Sequence, residues 1–241
     1  MDPASPEGGT KEETMKVALV GKSLNTVEAL LPVYGLIRDD QSPEVVISVG
    51  GDGTLLSAER KYPTIPKLPL RFSETSRKIH DHKAEILFEK LVSGDLVEVP
   101  QMKLVAVTGT SRLHALNDVN FHNEMITSAV RYRVEINGQP HSSEIIGDGL
   151  IVATPFGSTA YYRSITHSIF QVGIGLAFNN STEPVDHLVL NENARIQVQV
   201  VRGPALVAVD NDPGWIHLGE GDTVEVHKAQ ESATILTLPD L

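Results

Sequence analysis

The 241-residue chain has no cysteine, which excludes disulfides, thiolate nucleophiles and cysteine-bound zinc and leaves any chemistry to oxygen and nitrogen groups. No apolar run approaches the roughly 20 residues that span a bilayer, and no signal-peptide pattern opens the chain, so a cytoplasmic location without a membrane partner is expected. Positive charge is scarce: 20 Lys and Arg stand against 31 Asp and Glu, a net charge of −11. That balance disfavours nucleic acid or an anionic lipid surface as a partner, and an anionic small substrate would need shielding by backbone amides or a divalent cation. The signatures GxSxG, GxxxxGK[ST] and GxGxxG are all missing, which weakens hydrolase-elbow, P-loop and Rossmann readings. The single tryptophan, Trp215, follows Pro213-Gly214 and is expected to pack beside a turn.

What is present is an ordinary globular composition, 41% hydrophobic with a mean hydropathy of −0.07, in a chain long enough for one large or two small domains. Residues 1–14 are polar and rich in Pro, Gly and Glu, and read as a disordered tail or expression remnant, with Met15 as a natural start. KVALVG (16–21) reads as a buried strand, residues 25–36 as a short helix and EVVISVG (44–50) as a second strand. KAEILFEKLV (83–92) has helical spacing and stops at Ser93-Gly94. From about Gln101 the pattern turns to strands, among them KLVAVTG, HALNDVNF, AVRYRVEING, IQVQVV, ALVAVD and DTVEVHK, separated by Gly, Asn, Asp and Pro turns.

The most informative stretch is VVISVGGDGTLL (45–56), an apolar β-branched run that breaks into Gly50-Gly51-Asp52-Gly53 before a helix resumes. Clustered glycines let backbone N–H groups approach an anion closely, which suits a phosphate. A carboxylate inside that cradle would repel phosphate unless a cation or hydroxyl lies between. Two readings of Asp52 are therefore open: chemistry, or a helix cap at a tight strand-to-helix turn. IGDGLIVATPFGSTAYYRSI (146–165) adds a second Gly-Asp-Gly turn, around Asp148, a strand, and Gly-Ser-Thr opening a helix. Ser158 and Thr159 fit N-cap chemistry, which also suits a phosphate or ribose. Between the two stretches lies Asn117-Asp118, whose carboxylate could grip a ribose diol, though such pairs commonly just make turns.

In this order and spacing, GGDGT, the Asn-Asp pair and GDGLIVATPFGSTAY resemble the NAD kinase family, and RGPALVAVDNDPGWIHLGEGDTVEVHKA (202–229) is similar to its closing strands. GGDGT alone is shared with diacylglycerol and sphingosine kinases, so the third motif is the most specific. The resemblance implies a small α/β nucleotide-binding domain over residues 15–100 and a larger β-rich, sandwich-like domain over 101–241, with the active cleft between them. It implies transfer of the ATP γ-phosphoryl group to the 2′-hydroxyl of the adenosine ribose of NAD, with Mg2+ carried mainly on the ATP phosphates and no dedicated protein metal site. Asp52 would face that hydroxyl, and Gly50, Gly51, Gly53 and Thr54 would shape the phosphate approach. Asn117 and Asp118 would bind NAD, Asp148 would lie near the nicotinamide end, and Thr159, Ala160 and Tyr161 would line the adenine side. Asn179-Asn180 resembles a turn of many members, and a homodimer or homotetramer is implied.

One departure stands out. Family members usually carry a glycine-rich GxNxGxLGF stretch after GGDGT, whereas this chain has no glycine between Gly53 and Gly94. It has instead three prolines and the cations Arg60, Lys61, Lys67, Arg71, Arg77, Lys78 and Lys83, which either clamp the phosphates of ATP or polyphosphate or form a solvated face. The alternatives to an active NAD kinase are thus a silent NAD-binding relative and a GGDGT kinase with another acceptor. His80-Asp81-His82 lacks a further ligand at metal spacing and reads as surface, and of the adjacent Tyr161 and Tyr162 one is expected in the core.

Overall fold

A computed structural model of the chain describes residues 14–22, 24–71 and 82–239. The expected tail, apart from Thr14, and Arg77, Lys78, His80 and Asp81 lie outside the described residues. A six-stranded sheet contains β1 (Met15–Gly21), β2 (Leu36–Arg38), β3 (Val45–Gly50), β4 (Lys67–Arg71), β5 (Val97–Gln101) and, from the far end of the chain, β19 (Ala233–Thr237). Its order is β2-β1-β3-β4-β19-β5, with β1 to β4 parallel. A parallel sheet is covered on both faces, which is why β3 is buried without alternation from Val45 to Val49. Val17, Leu19, Ile47, Val49, Leu68 and Leu70 meet α1 (Asn25–Leu30) and α3 (Ala84–Ser93). The smaller Ala18 and Val46 admit Ala58 of α2 (Asp52–Lys61) on the opposite face.

The other two sheets form a sandwich. One contains β6 (Leu104–Thr108), β7 (Ser111–Ala115), β9 (Val130–Ile136), β10 (Gln139–Pro140), β11 (Ile145–Gly147), β15 (Ile196–Arg202) and β18 (Thr223–Lys228). Its partner contains β8 (Asp118–Asn123), β12 (Gly149–Ala153), β13 (Ile174–Asn179), β14 (Leu188–Leu190), β16 (Ala205–Val209) and β17 (Trp215–Leu218), in the order β14-β13-β12-β8-β16-β17. Alternate residues such as Tyr132, Val134, Ile196 and Val198 from the first, and Phe121, Leu150, Val152 and Val207 from the second, make one shared core. The outer face of the second, at Ile151, Ala153 and Ala177, is closed by Tyr162 of α4 (Tyr161–Thr166). This is the α/β plus β-rich sandwich architecture expected from the sequence.

Several local expectations change. Helix α1 ends at Leu30 and passes into a 3-10 turn over Leu31–Tyr34 with Pro32 near its start, and Gly35 at φ 68° releases the chain into β2. The strand expected over 114–121 is broken at Leu116-Asn117, because these residues make the turn between β7 and β8. The expected division at residue 100 falls inside β5, and β19 pairs with β4 and β5, so the chain's end returns to the first sheet. Trp215 lies on the edge strand β17 and is 56% exposed, not packed, with its indole N–H on His217 Nε2 at 3.0 Å.

Candidate active site

At the end of β3 the chain loses its side chains where space is smallest: a Cβ on Gly50 would lie 2.2 Å from Thr54 Oγ1. Gly51 occupies the N-cap of α2 in extended conformation, with no side-chain cap. Asp52 is therefore the first helical residue and not the N-cap, and its charge lies at the positive end of a ten-residue helix. Thr54 N–H and Leu55 N–H both donate to Gly51 C=O, at 2.9 and 3.3 Å.

Asn117 and Asp118 form a buried turn leading into β8, each 6% exposed. Their backbone is held by Asp210, which the sequence reading did not single out. Its carboxylate accepts the N–H groups of Leu116 (2.8 Å), Asn117 (2.7 Å) and Asp118 (3.1 Å), and its own N–H donates to Asp118 C=O at 3.0 Å. The turn also sits directly on the TPFGST segment. Thr154 N–H donates to Asn117 C=O (2.9 Å), and Thr154 Oγ1 donates to Leu116 C=O (2.6 Å) and accepts Gly157 N–H (2.9 Å). A Cβ on Gly157 would lie 1.9 Å from Asn117 O, so only glycine permits this approach. Thr154 is the hydroxyl that organises the segment. Ser158 and Thr159 do not cap α4: its N-cap is Ala160, without a side-chain bond, and Ser158 Oγ donates back to Pro155 C=O at 2.7 Å. Thr159 Oγ1 is buried with no partner among the described residues.

The second Gly-Asp-Gly turn lies between β11 and β12. Asp148 Oδ2 accepts Asn180 Nδ2 at 2.7 Å, and Asp148 N–H donates to Asn179 C=O at 3.0 Å, which gives Asn179-Asn180 a definite place in the assembly. The Asn179 side chain donates to Tyr161 Oη at 3.2 Å and reaches His122 Nε2 at 3.5 Å. His122 Nδ1 faces Asn123 C=O at 2.9 Å, so Nδ1 carries the proton and Nε2 accepts. Burial pushes the Tyr161 phenol above its ordinary pKa; Asn179 opposes that shift, while Asp118 and Asp148 add to it, so both carboxylates are electrostatic neighbours of one hydroxyl. Tyr162 is fully buried, the core member of the pair.

The GGDG turn is tied to this assembly by Asn211. Its Nδ2 donates to Gly53 C=O at 2.8 Å and Ser57 Oγ at 3.3 Å, and its Oδ1 accepts Arg60 Nη1 at 3.1 Å. Arg60 is thus engaged with the β-rich domain, and its Nε lies 3.8 Å from Asp212. Lys61 stands over the Tyr62 ring, 5.0 Å from its centroid. Lys67 is corrected most sharply: it is fully buried and ion-paired with Glu59, which also takes Lys103 Nζ at 2.6 Å, so it is no phosphate clamp. A cavity of about 350 Å3 is lined by Glu59, Arg60, Lys103, Arg112, His114 and Asp210 among others; of the residues expected to bind nucleotide only Arg60, one of the cations offered as a phosphate clamp, borders it.

Asn117 and Asp118 thus meet the TPFGST segment at the Ala153 end of β12, Asp148 lies at the Gly149 end of the same strand beside Asn179 of β13, where the Tyr161 hydroxyl also reaches, and residues 210–212 link the Asn117-Asp118 turn to Gly53 and the helix that starts at Asp52. Comparison with known proteins identifies the family. Residues 116–238 match the family model for the ATP-NAD kinase C-terminal domain. The chain is 32% identical over 219 residues to an NAD kinase of Gemmatimonas aurantiaca, covering 84% of this chain and 75% of that one, and 35% identical over 158 residues to one of Staphylococcus carnosus, covering 58% and 55%. In fold it is similar to an NAD kinase from Archaeoglobus fulgidus solved with ATP (TM-score 0.79, 18% identity, 93% of this chain and 94% of that one). Yeast NADH kinase solved with NADH is equally close (TM-score 0.79, 17% identity, 92% and 83%). With a family model over half its length and a relative at 32% identity across most of both sequences, the chain belongs to the NAD kinase family.

Proposed function

We propose that this chain transfers the γ-phosphoryl group of ATP to the 2′-hydroxyl of the adenosine ribose of NAD, giving NADP. The observation that carries the reading is the joining of the Asn117-Asp118 turn to the TPFGST segment on one side and, through residues 210 and 211, to the GGDG turn on the other. Asp118 holds ribose hydroxyls and Asn117 offers donor and acceptor together. Tyr161 accepts from Asn179, which leaves its O–H free to donate, and the unpartnered Thr159 hydroxyl supplies a buried polar atom suited to the adenine edge. Asp148, fixed by Asn180, lies toward the nicotinamide end.

Asp52 accepts the proton of the 2′-hydroxyl. A carboxylate is a weak base, and phosphoryl transfer has a loose transition state in which deprotonation lags, so its larger part is to orient the nucleophile in line with the donor. Gly50, Gly51 and Gly53 leave room for the phosphates and Thr54 closes the turn beneath them. Among the described residues no three or more His, Asp or Glu side chains gather as a metal cage, and Asp52, Asp118 and Asp148 stand on separate turns. Mg2+ would be carried on the ATP phosphates, where it would neutralise charge. A silent NAD-binding protein is not favoured, because relatives matching most of the chain are NAD kinases. A homo-oligomer and a cytoplasmic placement belong to the same reading, and no described helix is long and apolar enough to cross a membrane.

The test is NADP formation from NAD, Mg2+ and ATP or polyphosphate. Asp52→Asn is expected to abolish turnover while NAD affinity stays within about threefold, since a neutral isostere removes the base and not the ribose contacts. A variant with a near-normal rate removes Asp52 from the chemistry.

A further inference from the structure

Residues 210 and 211 are neighbours in the chain, yet each holds a different half of the site. Asp210 takes the three consecutive N–H groups of Leu116, Asn117 and Asp118, and Asn211 grips Gly53 C=O and Ser57 Oγ in the first turns of α2. Ser57 Oγ also donates to Gly53 C=O at 3.0 Å, and Arg60 closes the group from the next turn of the helix through Asn211 Oδ1. Adjacent Cα atoms are separated by a fixed distance of about 3.8 Å, so the two grips cannot drift apart without breaking one of them. Asp210 adopts φ 48°, a left-handed conformation unusual outside glycine and tolerated best by Asn and Asp. The conformation turns the two successive side chains toward different elements, one to the β7–β8 turn and one to α2.

We propose that Asp210 and Asn211 are positioning residues for phosphoryl transfer: together they set the separation between Asp52 and the ribose-binding Asn117-Asp118 turn. The inference rests on the functional reading above, and it assigns the two residues separable roles. Asp210 shapes the ribose-side turn and so governs NAD binding. Asn211 docks that turn on the helix that begins at Asp52 and so governs alignment. In a reaction that depends chiefly on in-line placement, a displacement of about 1 Å costs on the order of 100-fold in rate.

The experiment is a KM-against-kcat split, with NAD affinity measured by calorimetry and denaturation midpoints measured on the same proteins. Asp210→Asn places an amide N–H against at least one of three backbone N–H donors, and is expected to raise the NAD KM and Kd by about 10- to 100-fold with kcat within about threefold. Asn211→Asp keeps the Arg60 contact but sets a carboxylate against Gly53 C=O, and is expected to lower kcat by roughly 100-fold with NAD KM and Kd within about threefold. Should Asp210→Asn fail to fold, Asp210→Glu, which moves the carboxylate by one methylene, carries the same expectation. Variants that change the same parameter, that lose activity only in proportion to stability, or that behave as wild type overturn the proposal. If the wild-type chain binds NAD without turning it over, the activity reading falls but the split must still appear in Kd, and its absence there refutes the positioning roles. A wild-type chain that does neither refutes both.

Discussion

Glu59 is held between two lysines in a place where water cannot help. Its carboxylate meets Lys67 of β4 and Lys103 at the entry to β6, and the three residues are 3%, 0% and 4% exposed. Glu59 belongs to α2, so one buried carboxylate joins the helix that begins at Asp52 to β4 and to the residue that leads into β6. With all three ionised the group carries a net positive charge, and burial pushes the Lys67 ammonium below its ordinary pKa despite the attraction of Glu59. Glu59→Gln removes the only negative charge and leaves two buried ammonium groups without compensation, a change expected to cost about 3–5 kcal/mol. For a chain of this size that is a fall in Tm of roughly 10 °C. Lys67→Met instead leaves a balanced Glu59–Lys103 pair and replaces a dehydrated charge by an apolar chain of similar length, so its cost is expected to stay within about 1 kcal/mol. The pH dependence has a definite sign. A lysine with a depressed folded-state pKa penalises folding fully below that value, and the penalty is relieved as pH rises toward the unfolded value of 10.5, so the Glu59→Gln deficit should shrink on the alkaline side. Urea unfolding of both variants at neutral and alkaline pH measures each quantity. A Lys67→Met cost equal to or above that of Glu59→Gln would refute the argument.

Two further outcomes follow from neighbouring contacts. Thr154→Val keeps the shape but strands Leu116 C=O and Gly157 N–H in a buried place, for an expected loss of about 2–4 kcal/mol and a raised NAD KM, whereas Thr154→Ser should retain most of both; equal behaviour of Val and Ser in unfolding and kinetics would exclude the hydroxyl's role. Asp40 is held below its usual carboxylate range, first by Arg38 and then by Leu19 N–H against the opposing effect of burial, so its contribution is complete above the unfolded value of 3.8 and is lost as pH falls through the lower folded value; Asp40→Asn should flatten the acid limb of the stability curve, and an unchanged limb would show that the pair contributes nothing.

How much of this was legible beforehand depends on the range over which each residue acts. The glycines of VVISVGGDGTLL announce a strand that must stop and a helix that must start, a consequence of local sterics and periodicity. The same holds for the helix over 84–93 ending at Gly94, and for the alternating strands of the sandwich. The Asn117-Asp118 turn and the TPFGST segment could be recognised as motifs, but their contact could not be, because a Gly157 Cα lying against Asn117 O leaves no trace in composition.

Lys67 shows the limit most plainly. In sequence it belongs to a run of cations beside prolines, which reads equally as a phosphate clamp or a wet surface. In the fold the parallel register of β4 beside β3 places it in the interior opposite Glu59 of α2. Asp210 and Asn211 are illegible for a similar reason: in a strand-rich stretch, Asp-Asn-Asp-Pro-Gly reads only as a turn. Their partners lie 92 to 94 and 158 residues away, beyond any periodicity. The chain by itself therefore determined most of the elements, the glycine turns and the family, because backbone sterics and hydrophobic spacing act between neighbours. Only tertiary structure decided which charges are buried and which turn holds the site together, because burial and hydrogen-bond partnership are properties of elements brought together from distant parts of the chain.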